Sequence, residues 1–418
     1  MTKEPIIRHV SSILAGTWGD EPDDSVNTVA CLRVADFDYS RLTNVDPKTR
    51  RKISQADISQ KMLKSDDILI EKSGGGEKTP VGRAVVVTNI KQPTTYANFI
   101  ERVRLMPSLN SRYANYALSH LYSRKVNTKY IKQNTGIQNL DVKAYLSEPI
   151  TIPSIKKQEK VVDYLDAKTQ TLDKILTTKN HTHTHLSELR QAIITNAVLG
   201  TGGATMSTSV KNTWVGATPD HWKITKLSHV ARIKTGGTPS RENLDYWTDG
   251  NIPWLVSGEV NKGIIATVDN HITPLGMANS NATILPIDTV MIALNGQGKT
   301  KGMAALLKVP ATCNQSLAGV ICDKDKINPR YLYYYLKSKY SNIRGIKGEA
   351  RDGLNLDIIG SISVPLPPME EQLAIIEQIE RRINKIDKTE VKLSESIKLL
   401  EEYRSSLISN VVGGKVEV

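Results

Sequence analysis

The chain has 418 residues, enough for two to four domains that each bury a core, and a net charge of +12. Its three cysteines are too few for a disulfide framework, and no run of about 18 apolar residues is present to span a membrane. The start, Met1 to Pro5, lacks the apolar core of a secretory signal, so the expectation is a cytoplasmic protein with reduced Cys31, Cys313 and Cys322.

Short apolar runs between turn residues predict strands at Thr28–Val34, Asp67–Ile70 and Arg83–Val87, then a tyrosine-bearing helix from Tyr113 to Leu118. A long helix follows from Pro153 to Gly200. Thr201–Ser209, rich in Gly, Ser and Thr, predicts a flexible linker. The pattern then returns. Strands are predicted at Ile252–Val256, Thr289–Ala293 and Ser316–Cys322, a helix at Tyr331–Leu336, and a second long helix from Pro367 to Gly414. The predicted organisation is a globular domain over 1–149, a long helix over 150–200, a linker over 201–212, a second globular domain over 213–367 and a last helix over 368–418. The fold class is α/β, of the α+β kind.

The two long helices repeat each other without a gap at an offset of 214 residues. Pro153 meets Pro367, Gln158 meets Gln372, Asp173 meets Asp387, Arg190 meets Arg404 and Gly200 meets Gly414. The preceding segments echo too, with Asn110 and Tyr113 matching Asn328 and Tyr331. A repeat of this length means two similar units and an internal pseudo-two-fold, which suits a partner with dyad symmetry such as duplex DNA.

Each helix carries an apolar seam at alternating three- and four-residue steps. In the first it runs through Val162, Leu165, Leu172, Leu176, Leu186, Ile193 and Ala197, interrupted by Thr169, Lys179, His183 and Arg190. In the second it runs through Ile376, Ile379, Ile383, Ile386, Leu393, Ile397, Leu400, Leu407 and Val411, interrupted only by Glu390 and Arg404. At about 1.5 Å per residue, roughly 40 residues span about 60 Å, longer than one domain of this size needs. The helices are therefore expected to pair with each other as an antiparallel coiled coil.

Charge divides by unit. Residues 1–149 hold 22 Lys/Arg against 16 Asp/Glu, and residues 201–368 hold 18 against 12, so each globular portion carries +6. Residues 150–200 carry +2 and residues 369–418 carry −2. Equal positive balances on two repeated units favour a polyanionic partner.

Particular motifs in this sequence resemble the specificity subunit of type I restriction-modification enzymes. They are Thr213 to Trp222, Lys234 to Ser240 with its Gly-Gly-Thr-Pro-Ser loop, Tyr246-Trp247, Ile252 to Trp254, and Val364 to Gln372. In the first half, Ala15 to Gly19 stands in for the glycine loop. The resemblance implies two target-recognition domains, each reading one half of a bipartite site in double-stranded DNA. It implies that the helix pair fixes the spacer and docks two modification (methyltransferase) subunits. S-adenosylmethionine, ATP and Mg would lie on those subunits and on motor-nuclease restriction subunits, and this chain would catalyse nothing. The competing readings are a stand-alone nuclease or NTPase, and a coiled-coil adaptor that binds only protein.

Candidate DNA-binding residues in the first half are Tyr39, Arg41, Asn44, the run Arg50, Arg51 and Lys52, then Lys72, Ser73 and Lys78 on a glycine-rich loop, and Asn134. In the second half they are Thr238, Ser240 and Arg241, then Asn295, Gln297, Lys299 and Lys301, and Lys347 with Arg351. Glycines beside Lys78 and Lys299 would let backbone N–H groups approach phosphate, although both loops also read as plain strand turns. Ala293 to Thr300 satisfies a relaxed phosphate-loop pattern, but the strict pattern wants Gly at Ala293 and a helix after it. Pro22 and Asp23 with Asp46, Pro47 and Lys48 fit a loose nuclease spacing, but the acidic part, Asp20 to Asp24, reads as a surface loop and chance explains the pattern better. His181, His183 and His185 invite a metal reading, yet only His181 and His185 share a helix face, and a solvated cluster is favoured.

Overall fold

Two sheets of the same strand order grow from the repeated apolar runs. The computed structural model describes residues 2–88, 90–134, 136–201, 208–296, 298–346 and 353–418. It divides into two compact units, 1–182 with 392–418, and 183–391. The division falls inside both long helices, so each unit holds a sheet, a tyrosine helix and a portion of each long helix.

In the first unit, β1 (Val10–Ala15), β2 (Ile68–Glu71), β3 (Ala84–Val86) and β4 (Ile100–Leu105) precede α1 (Ser111–Ser123) and the long α2 (Ile155–Leu199). The sheet runs β1–β4–β2–β3, antiparallel throughout this part, and is extended by Thr43–Asn44 and Phe37–Asp38. Ile68, Ile70 and Val103 bury against Tyr113, Ala114, Ala117 and Leu121 of α1. Their β-branched or helix-favouring side chains suit each element.

In the second unit, β5 (Ala231–Thr235), β6 (Val290–Ala293), β7 (Ala304–Leu307) and β8 (Leu317–Cys322) precede α3 (Pro329–Ser338) and the long α4 (Met369–Val412). The order β5–β8–β6–β7 repeats the first sheet, again antiparallel, with Ile264–Ile265 added at the edge. Val290, Ile292, Leu306 and Val320 bury against Tyr331, Leu332, Tyr335 and Leu336.

Both tyrosine helices start on an asparagine cap. The Asn110 side chain accepts from the N–H groups of Arg112 and Tyr113, and that of Asn328 accepts from Arg330. Such a cap stabilises a helix by about 1 kcal/mol. The long helices end at Gly200 (φ +66°) and Gly414 (φ +73°), left-handed positions that glycine takes without strain.

Within each unit the long helices run antiparallel. In the first, Val162, Leu165 and Leu172 share a core with Leu407, Ile408 and Val411, and Asp173 faces Arg404 at 3.5 Å. In the second, Ile194 and Val198 share a core with Ile376 and Ile379, while Arg190 reaches Asp387 at 2.5 Å and Glu390 at 2.6 Å. Of the polar residues that interrupt the seams, Arg190 and Glu390 thus meet across them, and Arg404 meets Asp173. The repeat also sends the Arg of each helix to the equivalent Asp of the other.

The seam itself needs one correction. Ile193 is only half-buried, whereas Ile194 and Val198 are 0% exposed. Near its end α2 turns its apolar face toward the core beneath α3, one residue off the pairing register. Leu176, Leu186, Ile383, Ile397 and Leu400 are likewise partly exposed, while Ile386, Leu393 and Leu407 are buried.

The expected linker includes a strand. Residues 202–207 lie outside the described residues, but Thr208–Asn212 pairs antiparallel with Gly216–Pro219. Cys31 and Cys313 are buried and Cys322 half-buried, all free, and burial pushes the Cys313 and Cys322 thiols up to about 12. Among the described residues no helix is long and apolar enough to cross a membrane.

Candidate nucleic-acid interface

Sheet register brings the glycine loops together in each unit. Ala15 at the end of β1 pairs with Glu101 of β4, next to Ile100, which pairs with Glu71 at the end of β2. The loops after β1 and β2 therefore leave the same end of the first sheet. In the second, Thr235 pairs with Ala318 and Ala293 with Leu317, so the loops after β5 and β6 also share an end. The first loop of each pair needs glycine for close approach. A Cβ on Gly16 would lie 2.1 Å from the Ala97 carbonyl oxygen, and one on Gly236 would lie 1.7 Å from that of Cys313.

In the second unit the Gly236 loop presents polar groups in fixed positions. The exposed Thr238 hydroxyl donates to Gln315 Oε1 at 2.7 Å, and the Ser240 carbonyl accepts from Trp247 Nε1 at 2.9 Å. Arg241 is exposed, with its guanidinium 5.1 Å from the Trp247 ring centre and 5.8 Å from that of Trp254. Trp254 is in turn pinned by its Nε1 to the Gly237 carbonyl. An arginine held on an aromatic floor keeps its N–H edge free for phosphate or a guanine edge. Asn295 and Lys299 are exposed on the neighbouring loop, whose backbone is tied down by Tyr340 donating to the Lys299 carbonyl. Gln297, Lys347 and Arg351 lie outside the described residues.

Lys301 is placed otherwise than expected. It is 1% exposed and donates to the Ile346 carbonyl, so it anchors the loop and does not face a ligand. The same loop joins the antiparallel strands β6 and β7, with no helix after it. A phosphate-loop nucleotide site needs that helix N-terminus, so the NTPase reading fails on geometry.

In the first unit the basic run is largely consumed internally. Arg51 is 8% exposed, pairs with Glu21 at 2.6 Å, donates to the Trp18 and Gly19 carbonyls and stacks on Trp18. Lys52 pairs with Asp23 at 2.7 Å and holds that carboxyl well below its usual range. Arg50 stays exposed but donates to the Thr28 carbonyl. The acidic loop that invited a nuclease reading is thus the partner of the basic strand.

Three further candidates are buried or half-buried. Asn44 is 6% exposed and accepts from the Thr88 N–H. Ser73 is 7% exposed and donates to Asn139. Tyr39 lies half-buried under Arg83, whose guanidinium is 3.9 Å from its ring centre and pairs with Glu71; burial first, then Glu71, raises the phenol well above its usual range.

Arg41 remains exposed and lines a cavity of 880 Å³ beside α2, with Arg112, Asp173, Lys174 and His181. Lys78 is exposed beside a smaller cavity of 370 Å³ with Lys125 and Gln133. Lys72 is half-buried, and Asn134 ends a strand paired at Ile137. His181, His183 and His185 lie exposed along α2, His185 against Glu188 at 3.1 Å. No three His, Cys, Asp or Glu side chains converge on a common point among the described residues.

A duplicated scaffold that carries divergent loops on matching sheet ends defines a two-part recognition protein. Residues 38–182 and 219–399 match the family model for the type I restriction modification DNA specificity domain, and the chain belongs to that family. It is 28% identical over 164 residues to the specificity subunit of the Escherichia coli type I restriction enzyme EcoR124I/EcoR124II, a stretch covering 38% of this chain and 40% of that one. It is 23% identical over 375 residues to the putative type I restriction enzyme MjaX specificity subunit of Methanocaldococcus jannaschii, covering 88% and 82%. The chain thus spans less than half the length of the E. coli relative. The HsdS subunit of Thermoanaerobacter tengcongensis aligns over 99% of this chain and 97% of its own, with TM-score 0.52 and 12% identity. A chain from a type I R-M system assembly aligns over 99% and 98%, with TM-score 0.73 and 12% identity. These two likenesses concern the fold.

Proposed function

We propose that this chain is the DNA-reading subunit of a type I restriction-modification complex. Each unit reads one half of a bipartite duplex target through the paired loops at its sheet end, and the long helices set the unread spacer. The observation that carries this is the twofold occurrence of one sheet register, which presents two loops at one end, within a chain whose two halves both match the specificity family. Lys and Arg supply the salt-dependent phosphate attraction, and Arg241, Thr238 and Asn295 are the groups suited to base edges. The chain performs no covalent chemistry. Two modification subunits dock on the helices and carry S-adenosylmethionine, and restriction subunits with ATP and Mg join them in the cytoplasm.

Sequencing the methylated sites in cells that carry the complete system tests this. A single two-part motif with a fixed gap is expected; methylation without such a motif would sink the proposal. Replacing Lys299 by Ala in the complex should weaken DNA binding and lower the salt slope by about one, the loss of one phosphate contact. ATP hydrolysis by the isolated chain that stops on this substitution would restore the enzyme reading.

The helices give a further test. Asp173 and Arg190 are as far apart in sequence as Asp387 and Arg404, so a change of length must be made in both helices to keep both ion pairs. Four residues inserted after Lys179 and four after Ile397 lengthen each helix by about 6 Å. At about 3.4 Å per base pair the preferred gap should grow by one or two base pairs, with the bases read unchanged. An active complex with the original gap would show that the helices only dock partners.

A further inference from the structure

The two glutamines that open the long helices are buried and hold equivalent bonds. Gln158 is 0% exposed; its Oε1 accepts from the Asn110 N–H at 2.8 Å, and its Nε2 donates to the Pro153 carbonyl at 2.8 Å. Gln372 is 0% exposed; its Oε1 accepts from the Asn328 N–H at 2.7 Å, and its Nε2 donates to the carbonyls of Pro367 at 2.9 Å and Lys326 at 3.1 Å. Asn110 and Asn328 are the caps of α1 and α3, so each amide ties the first turn of a long helix to the start of the tyrosine helix.

Two more ties repeat at the same joint. Tyr113 donates to the Thr151 carbonyl at 2.7 Å, and Tyr331 to that of Pro365 at 3.2 Å. Arg112 pairs with Asp166 of α2 at 2.8 Å, and Arg330 with Glu380 of α4 at 3.5 Å. The joint has thus kept three contacts in both copies, while the loops at the sheet ends differ. A buried amide with its acceptor and donor both used is costly to replace, because the groups it leaves behind lose their partners.

We infer that Gln158 and Gln372 are positioning residues that lock each DNA-reading unit to its long helix, and that these locks fix the gap accepted between half-sites; the inference rests on the function proposed above. A helix can set a distance only if the reading loops cannot pivot on it. Loosening one lock should let the loops find their bases at neighbouring gaps without changing which bases they read.

The test uses the full chain with its modification subunits and a DNA library in which the two half-sites stand at varied separations. In Gln372→Leu and Gln158→Leu, methylation at gaps one base pair shorter or longer should rise roughly tenfold relative to the native gap, equivalent to about 1.4 kcal/mol of lost discrimination. The half-site bases should stay the same. Ile379→Val trims the same core without touching the joint, and should lower yield without spreading the gap. Arg330→Ala combined with Glu380→Ala loosens the solvent-facing arm and should spread it too, so the test stands if a glutamine variant fails to fold. A gap distribution unchanged in the folded joint variants would overturn the inference alone. A wild-type complex with no preferred gap would overturn it together with the proposed function.

Discussion

Exchanging the first recognition domain for that of another family member will replace one half of the DNA target and leave the other half and the gap intact. The loops after β1 and β2 sit on a sheet that packs on its own tyrosine helix, so nothing in the second unit's sheet has to be rebuilt. Residues 1–149 are the segment that the sequence suggests. The structure moves the cut to follow Ile152, because Pro149–Ile152 forms a two-stranded ladder with Thr2–Pro5 and a cut at 149 would divide it between donor and recipient. Mapping methylated sites before and after the exchange decides the matter. If both halves change, or neither, the units do not read separately.

The second large effect is expected from Leu172→Pro. Leu172 is 7% exposed and lies in the core shared by α2 and the end of α4, one residue before the Asp173–Arg404 pair. Proline there removes a helix hydrogen bond and clashes with the preceding turn, at about 3 kcal/mol or more. The lost leucine packing adds about 2–5 kcal/mol, a sum comparable to the whole stability of many domains. Methylation at both half-sites should disappear together, with a lower melting temperature by circular dichroism. Leu172→Ala, which keeps the helix, should retain part of the activity. Normal reading of the second half-site by the proline variant would show that α2 matters only locally.

Much of this architecture was legible because repetition and periodicity are properties of one chain read along its length. The long helices, most of their seam positions, and the strands at Ile68–Glu71 and Leu317–Cys322 follow from local pattern. What escaped depended on partners far away in sequence. Arg51 and Lys52 read as a basic patch until Glu21 and Asp23, about thirty residues earlier, fold back onto them. Lys301 carries no local sign that the Ile346 carbonyl awaits it. Ile194 lost to Ile193 in the seam because the last turns of α2 answer to the core under α3, a competition that a heptad count cannot see. Gln158 and Gln372 stood out only as matched letters, since an amide's burial has no periodic signature.

The joint at the start of each long helix has a consequence for inheritance. Every bond made by the two glutamine amides, and by the Tyr113 and Tyr331 hydroxyls, ends on a main-chain N–H or carbonyl. A main-chain carbonyl is present whatever amino acid occupies the position, and a main-chain N–H is present for every residue except proline. Mutation can therefore rewrite the loops without disturbing the seat, and recombination can bring in a foreign domain that arrives with the atoms the seat requires. Under the proposed function, a change of the half-site read could be made by shuffling genes at this point, with the helices passed on unaltered.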